Sequence, residues 1–213
     1  MAKITVLGGS GFSGGWIVRE AAARGHEVTT LSRTAPVDLP EGVTVLRGSV
    51  LEPADVEAAT VGADVVVGAL SPRGDMVGKV QPAYAQLAAQ VAETGQRLII
   101  VGGFGSLKNP GGERIVDTDA FAPEYKPEAL ELAATLDALR ATDGLDWTYV
   151  SPASEFGSYI PVQTRRGEYR VGDETPMLDE QGSSAISGPD FAMAVVDEIE
   201  AGAHRGEHIS FAY

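Results

Sequence analysis

Three glycines spaced three apart, Gly8, Gly11 and Gly14, punctuate the N-terminal residues 4–15, with the hydroxyls of Ser10 and Ser13 and the ring of Phe12 between them. Residues of these types at this spacing suit phosphate. A glycine at position 8 lets the chain turn sharply off a strand. One at position 11 lets a pyrophosphate touch backbone, and one at position 14 lets the next helix pack close to the strand. Ser10, Phe12 and Ser13 supply hydroxyls and backbone N–H groups. The spacing is G-x-x-G-x-x-G; the commoner G-x-G-x-x-G is not matched, because Ser10 stands in its middle. Gly11-Phe12-Ser13-Gly14-Gly15 also fits G-x-S-x-G, the nucleophile elbow of hydrolases. There the serine follows its strand directly, whereas Ser13 lies several residues beyond, so hydrolase chemistry is set aside.

The next informative pair is Ser32 and Arg33, about 25 residues past Gly8. An NAD-specific fold would place Asp or Glu here for the ribose hydroxyls. A hydroxyl and a guanidinium suit a 2′-phosphate instead, which favours NADP(H) over NAD(H). As a plain surface residue, Arg33 would leave that preference open. Further along, Tyr125 and Ser154 are the candidates for chemistry: Tyr125 to stack on a ring or donate a proton, Ser154 to bond a nicotinamide amide. Ser106, Lys126, Glu155 and Tyr159 belong to the same set of loops. Arg165 and Arg166 form a dibasic pair that could attract an anionic substrate. The three histidines, His26, His204 and His208, fall in no metal-ligand spacing, so no metal is expected.

These residues need strands to place them. Strand-like and helix-like stretches alternate almost to the end. The strands read as residues 4–7, 27–32, 43–47, 64–70, 97–101 and 147–150, with helices at 16–24, 53–60, 82–93 and 127–141 between them. In a parallel sheet all strand exits share one edge. That edge would gather Gly8 to Gly14, Ser32, Arg33, Ser49, Val50, Ala69 and Leu70. Val101, Gly102, Gly103, Pro152 and Ala153 would join them as a cofactor site. Short strand-like pieces at 168–171 and 185–187 suggest a small substrate-side lobe over 155–187. A helix to about residue 200 and a strand at 208–211 follow. The fold expected is a Rossmann-like, doubly wound α/β sheet with helices on both faces, a single domain over residues 1–213.

Composition narrows the function. With 30 acidic and 16 basic residues the net charge is −14, a field that repels nucleic acid and anionic membranes. No apolar run approaches a membrane span, residues 1–7 read as core strand rather than signal peptide, and cysteine is absent, which suits the cytoplasm. A small-molecule substrate and a monomer or homodimer are expected.

The chain resembles the atypical short-chain dehydrogenase/reductases, and among them the NADH-flavin reductase-like family of NAD(P)H-binding proteins. The resemblance rests on residues 8–14 with Arg24-Gly25-His26-Glu27-Val28-Thr29, on 98–107 (LIIVGGFGSL), 147–156 (WTYVSPASEF), 167–172 (GEYRVG) and 190–200 (DFAMAVVDEIE). More distantly it is similar to biliverdin reductase B and NmrA-like redox regulators. The family implies a nicotinamide dinucleotide and a flavin such as FMN or FAD as possible substrate. The reductases' Tyr-x-x-x-Lys is missing, because Ala129 follows Tyr125 at that spacing. Direct hydride transfer to a flavin or quinone-like ring needs no positioned proton donor. A cofactor-binding sensor without catalysis, and an isomerase or epimerase with bound cofactor, are the alternatives.

Overall fold

The computed structural model describes residues 1–34 and 38–213. Eight strands form one sheet: β1 (Lys3–Leu7), β2 (Glu27–Ser32), β3 (Thr44–Arg47), β4 (Val65–Gly68), β5 (Arg97–Val101), β6 (Asp146–Pro152), β7 (Arg170–Gly172) and β8 (Glu207–Ala212). Their order is β3-β2-β1-β4-β5-β6-β8-β7, with every pairing parallel except that of β7 with β8. The order reverses between β2 and β4 around β1, which opens a crevice beyond the carboxyl ends of β1 and β4.

Alternation along the strands sorts the two faces. Ile4, Val6, Ile99 and Val101 pack against Ile17 and Val18 of α1 (Phe12–Ala23) and Phe191 and Val195 of α5 (Gly188–Ala201). Leu7, Val66, Leu98 and Ile100 pack the other way, against α2 (Pro53–Thr60), α3 (Val80–Thr94) and α4 (Lys126–Arg140). Burial on both faces is why the central strands are continuous apolar runs. The doubly wound α/β fold expected from the sequence is the fold observed.

Three differences from the sequence reading matter. Helix α1 starts at Phe12, four residues before the predicted Trp16, so the glycine turn runs directly into helix. Position 14 is where close packing is enforced: a Cβ on Gly14 would stand 2.3 Å from the Gly8 carbonyl oxygen. Secondly, β6 continues through Ser151 and Pro152, because Pro152 pairs with Phe211 at the last register position of the β6–β8 ladder. Thirdly, the 155–187 segment does not form a lobe of its own strands. Residues 170–172 join the main sheet as its antiparallel edge, and the strand read at 185–187 is reduced to one bridge between Glu155 and Ala185.

Candidate functional site: a cleft along the strand exits

A cleft of about 930 Å³ runs along the carboxyl edge of the sheet, within the size range of cofactor and ligand sites. At its centre β1 ends at Gly8, whose φ of +91° is open to glycine at little cost. The turn is fixed by hydrogen bonds from Gly8 N–H to the Leu31 carbonyl (3.0 Å) and from Gly11 N–H to the Gly8 carbonyl (2.9 Å). Gly11 is the N-cap of α1, and no side chain caps it. The helix therefore points its N-terminal N–H groups and its positive dipole end at the cleft, where Gly8, Ser10, Gly11, Phe12 and Ser13 line the wall. That is an anion-binding geometry, and a pyrophosphate fits it. Gly14 does not line the cleft; it serves the packing just described. Gly9 is equally constrained, since a Cβ there would lie 2.0 Å from the Thr30 hydroxyl oxygen.

One end of the cleft is polar. Ser32 and Arg33 line it, with Val50 beside them. The Ser32 hydroxyl donates to the Thr34 carbonyl (2.8 Å). Exposed Arg33 pairs with Asp75, from the single turn Gly74–Met76 in the loop beyond β4. Ser49, expected here, is absent from the wall. Its backbone N–H is bound to the Asp55 carboxylate (2.8 Å) and its hydroxyl accepts from Leu51 N–H (3.1 Å), closing the turn into α2.

The floor is made of strand exits: Ala69 and Leu70 after β4, Val101, Gly102 and Gly103 at the end of β5, Pro152 and Ala153 at the end of β6. Beneath it lies a buried polar network. Tyr84 accepts from Leu70 N–H (2.8 Å). Tyr149 donates to the Leu132 carbonyl (3.0 Å) and accepts from the Ser106 hydroxyl (3.0 Å). Burial pushes the Tyr149 phenol up to about 12. The Ser151 hydroxyl donates to the Gly103 carbonyl (2.9 Å) and lies 2.8 Å from Nε2 of His208, whose ring meets Tyr149 edge-on. Since the one Ser151 proton is used on Gly103, Nε2 of His208 carries the hydrogen of that bond. Its Nδ1 is then a bare acceptor, and it has no partner among the described residues. Ser106 is thus a component of the network beneath the floor and not of the cleft surface, contrary to its place among the candidates; it is 1% exposed.

The other end is aromatic. Phe104, Phe121 and Tyr125 stand on one side, Phe12, Phe156 and Tyr159 on the other. Phe12 and Phe156 meet edge-on at 5.2 Å, and Phe156 leans on buried Phe191 at 4.5 Å, which anchors this wall to the core. Tyr125 precedes α4 as its N-cap and is 57% exposed. Ser154 lines the cleft, and its hydroxyl donates to the Ser184 carbonyl (3.0 Å). Lys126 and Glu155 do not line it. Of the 155–187 segment, only residues 156–159 reach the cleft.

The sequence reading missed a charged pair. Glu128, in the first turn of α4, accepts from Arg73 Nε (2.6 Å) and the Ser71 hydroxyl (3.1 Å), and all three line the cleft. Their common signal was position: a β4 exit and a helix start both face the carboxyl edge. Conversely, Arg165 and Arg166 are not in the cleft. Arg165 pairs with Glu20 of α1, and Arg166 lies 3.8 Å over the Tyr213 ring. His26 lies at the opposite edge, bonded to Ala2 N–H and Glu200.

An uncapped helix start at a topological switch point, with a polar rim beside β2 and a roomy floor of small residues, defines the nucleotide-binding class of doubly wound proteins. The chain belongs to the NAD(P)H-binding family, which it matches over residues 8–201. It is 33% identical to YwnB of Bacillus subtilis (strain 168) over 210 residues, 98% of this chain and 97% of that protein. SP1627 of Streptococcus pneumoniae TIGR4, provisionally named an NADH-flavin reductase, superimposes with a TM-score of 0.90 at 33% identity, over 100% of this chain and 99% of that one. A Bacteroides thetaiotaomicron protein provisionally named an epimerase gives 0.88 at 31% identity, over 100% and 97%. No helix among the described residues is long and apolar enough to cross a membrane.

Proposed function

We propose that the protein is an NADPH-dependent reductase that passes hydride to a flat, flavin- or quinone-like ring. The observation that carries this reading is the make-up of one continuous cleft: Ser32 and Arg33 at one end, the anion-binding start of α1 at its centre, a floor of small residues, and six aromatic rings, Phe12 of α1 among them, toward the other end. The bound dinucleotide would supply the hydride, and solvent the proton that completes reduction of the acceptor. The chain's part is to bind and orient. The start of α1 would hold the pyrophosphate, Ser32 and Arg33 the 2′-phosphate, and Val50 the adenine side. Ala69, Gly102, Gly103, Pro152 and Ala153 leave room for the nicotinamide half. Tyr125, Phe104 and Phe121 would stack the acceptor and exclude water.

The test is oxidation of NADPH and of NADH with FMN, riboflavin or a quinone as acceptor. Turnover with at least one ring acceptor, faster with NADPH, is expected. A second reading, a cofactor sensor, draws on the burial of Ser106 and on Ala129 standing where the reductases carry lysine. Tight NADPH binding with no turnover on any acceptor would favour it. Interconversion of a substrate with no net cofactor oxidation would instead favour the epimerase alternative.

A further inference from the structure

The loop beyond β4, residues 71–76, lines the cleft with Ser71, Arg73 and Met76 and is tied at both sides. Arg73 reaches Glu128 on α4, and Asp75 reaches Arg33 beyond β2. Strands β2 and β4 flank β1, so the second tie spans the switch point itself. Among the described residues that line the cleft, Arg33 and Arg73 are the only cations, and each is already matched by a carboxylate from across the opening.

We propose that Asp75 is a specificity-determining residue: it holds the Arg33 guanidinium as a built-in counter-ion, so a 2′-phosphate must compete with it. This rests on the nicotinamide reading above and adds to it a residue that works against the phosphorylated cofactor. The chemistry follows from valence. A guanidinium carries five N–H donors, and Nη1 of Arg33 is the nitrogen engaged by Asp75. Asp75 and a 2′-phosphate are both oxyanions, and a phosphate that forks onto an edge including Nη1 competes with Asp75 for it. The hydrogen bond that Arg33 donates to Asp75 raises the Arg33 pKa and holds Asp75 below the usual carboxylate range. Both are therefore charged near neutral pH. When a 2′-phosphate takes Arg33, the Asp75 carboxylate is released to solvent and the loop keeps only its tie to Glu128. A cofactor lacking that phosphate leaves the pair intact. Asp75 thus tempers the NADPH preference that Arg33 confers, in a protein whose net charge of −14 already disfavours added phosphate.

Dissociation constants for NADPH and NADH, titrated at low salt on the wild type, Asp75→Asn, Arg33→Ala and the double variant, test this. Both residues are exposed, so thermal melting should be unchanged in Asp75→Asn, which verifies an intact fold. The expected result is NADPH binding tightened about two- to five-fold by Asp75→Asn, the range for releasing an exposed ion pair. NADH binding should stay the same, and the gain should vanish in the Arg33→Ala background. Unchanged or weaker NADPH binding in Asp75→Asn overturns the proposal. So does an equal gain for NADH, or a gain that survives in full without Arg33, since Asp75 would then act by repulsion at a distance. Failure of the wild type to bind either dinucleotide overturns the proposed function as well, and is recognised because no variant gives a saturable curve.

Discussion

A Cβ placed on Gly102 would stand 2.1 Å from the ring of Tyr149. The cleft floor at β5 is therefore only as high as this buried tyrosine allows, and the tyrosine is fixed by Ser106 and the Leu132 carbonyl. Gly102→Ala should displace the ring and disturb both hydrogen bonds. A stability loss of about 1–3 kcal/mol, the usual cost of overpacking, is expected in a denaturant titration. Cofactor affinity should fall with it, because the floor would rise toward the ligand. A variant as stable as the wild type would show that the ring has room to move.

Arg33→Ala should weaken NADPH binding about tenfold, the low end for a hydrogen bond to a charged group, because solvent screens an exposed side chain. NADH binding should barely change. Parallel titrations with the two cofactors decide the matter, and equal losses for both would remove Arg33 as the selector.

His208 gives the protein an acid limit. Burial pushes its pKa down to about 4, against an ordinary 6.5. The folded form thus holds the ring neutral while the unfolded chain takes up a proton below pH 6.5. Stability from this source is complete above about pH 6.5, falls as the pH drops toward 4, and falls no further below that; the total is of order 3 kcal/mol. Melting temperatures measured from pH 7 to pH 4 should show the decline, and His208→Gln should flatten it. A decline of the same size in the variant would assign it to other groups.

Asp190 sets a second, lower limit. It is fully buried at the start of α5 and accepts from Tyr213 (2.5 Å), from the N–H groups of Arg166 (2.8 Å) and Gly167 (2.9 Å), and from Ser187 (3.0 Å). Burial raises its pKa, but these donors, Tyr213 first, outweigh burial and hold it below the usual carboxylate range. A depressed carboxylate stabilises the fold above its unfolded pKa of about 4 and loses that contribution as the pH falls through the folded value. Asp190→Asn should cost about 2 kcal/mol at pH 7, the scale of a disrupted buried hydrogen-bond set. The difference from wild type should shrink below about pH 4. A gap that stays constant to pH 3 would show that the carboxylate's charge is not what holds residues 166 and 167.

The sheet and the line of its exits were legible because parallel strands buried on both faces must be apolar runs, and such runs are visible in Val65-Val66-Val67 and Leu98-Ile99-Ile100. The start of α1 was not. Helix propensity argues against Gly14 and Gly15, yet contact with the Gly8 carbonyl requires glycine there, and tertiary packing decides. Ser106 carries a hydroxyl on the right edge, but its partner Tyr149, 43 residues on, comes from the fold rather than from the local pattern; Ser49 is instead drawn into a local turn by Leu51 N–H. Arg165 looked available for an anion because Glu20 is 145 residues away in the chain. The pairing of Glu128 with Arg73 was hidden for the same reason.

The placement of β8 between β6 and β7 has a kinetic consequence. The strand that brings His208 beneath Ser151 and seats β7 is synthesised after both of its neighbours. On the ribosome the N-terminal half, with β1 to β4 in place, can begin to collapse while β6 still presents an open edge. Until β8 emerges, that edge is a template for wrong pairing, and the floor under Gly103 is unfinished. Competence to bind should therefore appear late and all at once in a nascent chain, with the exposed β6 edge the point at which a chaperone would be needed.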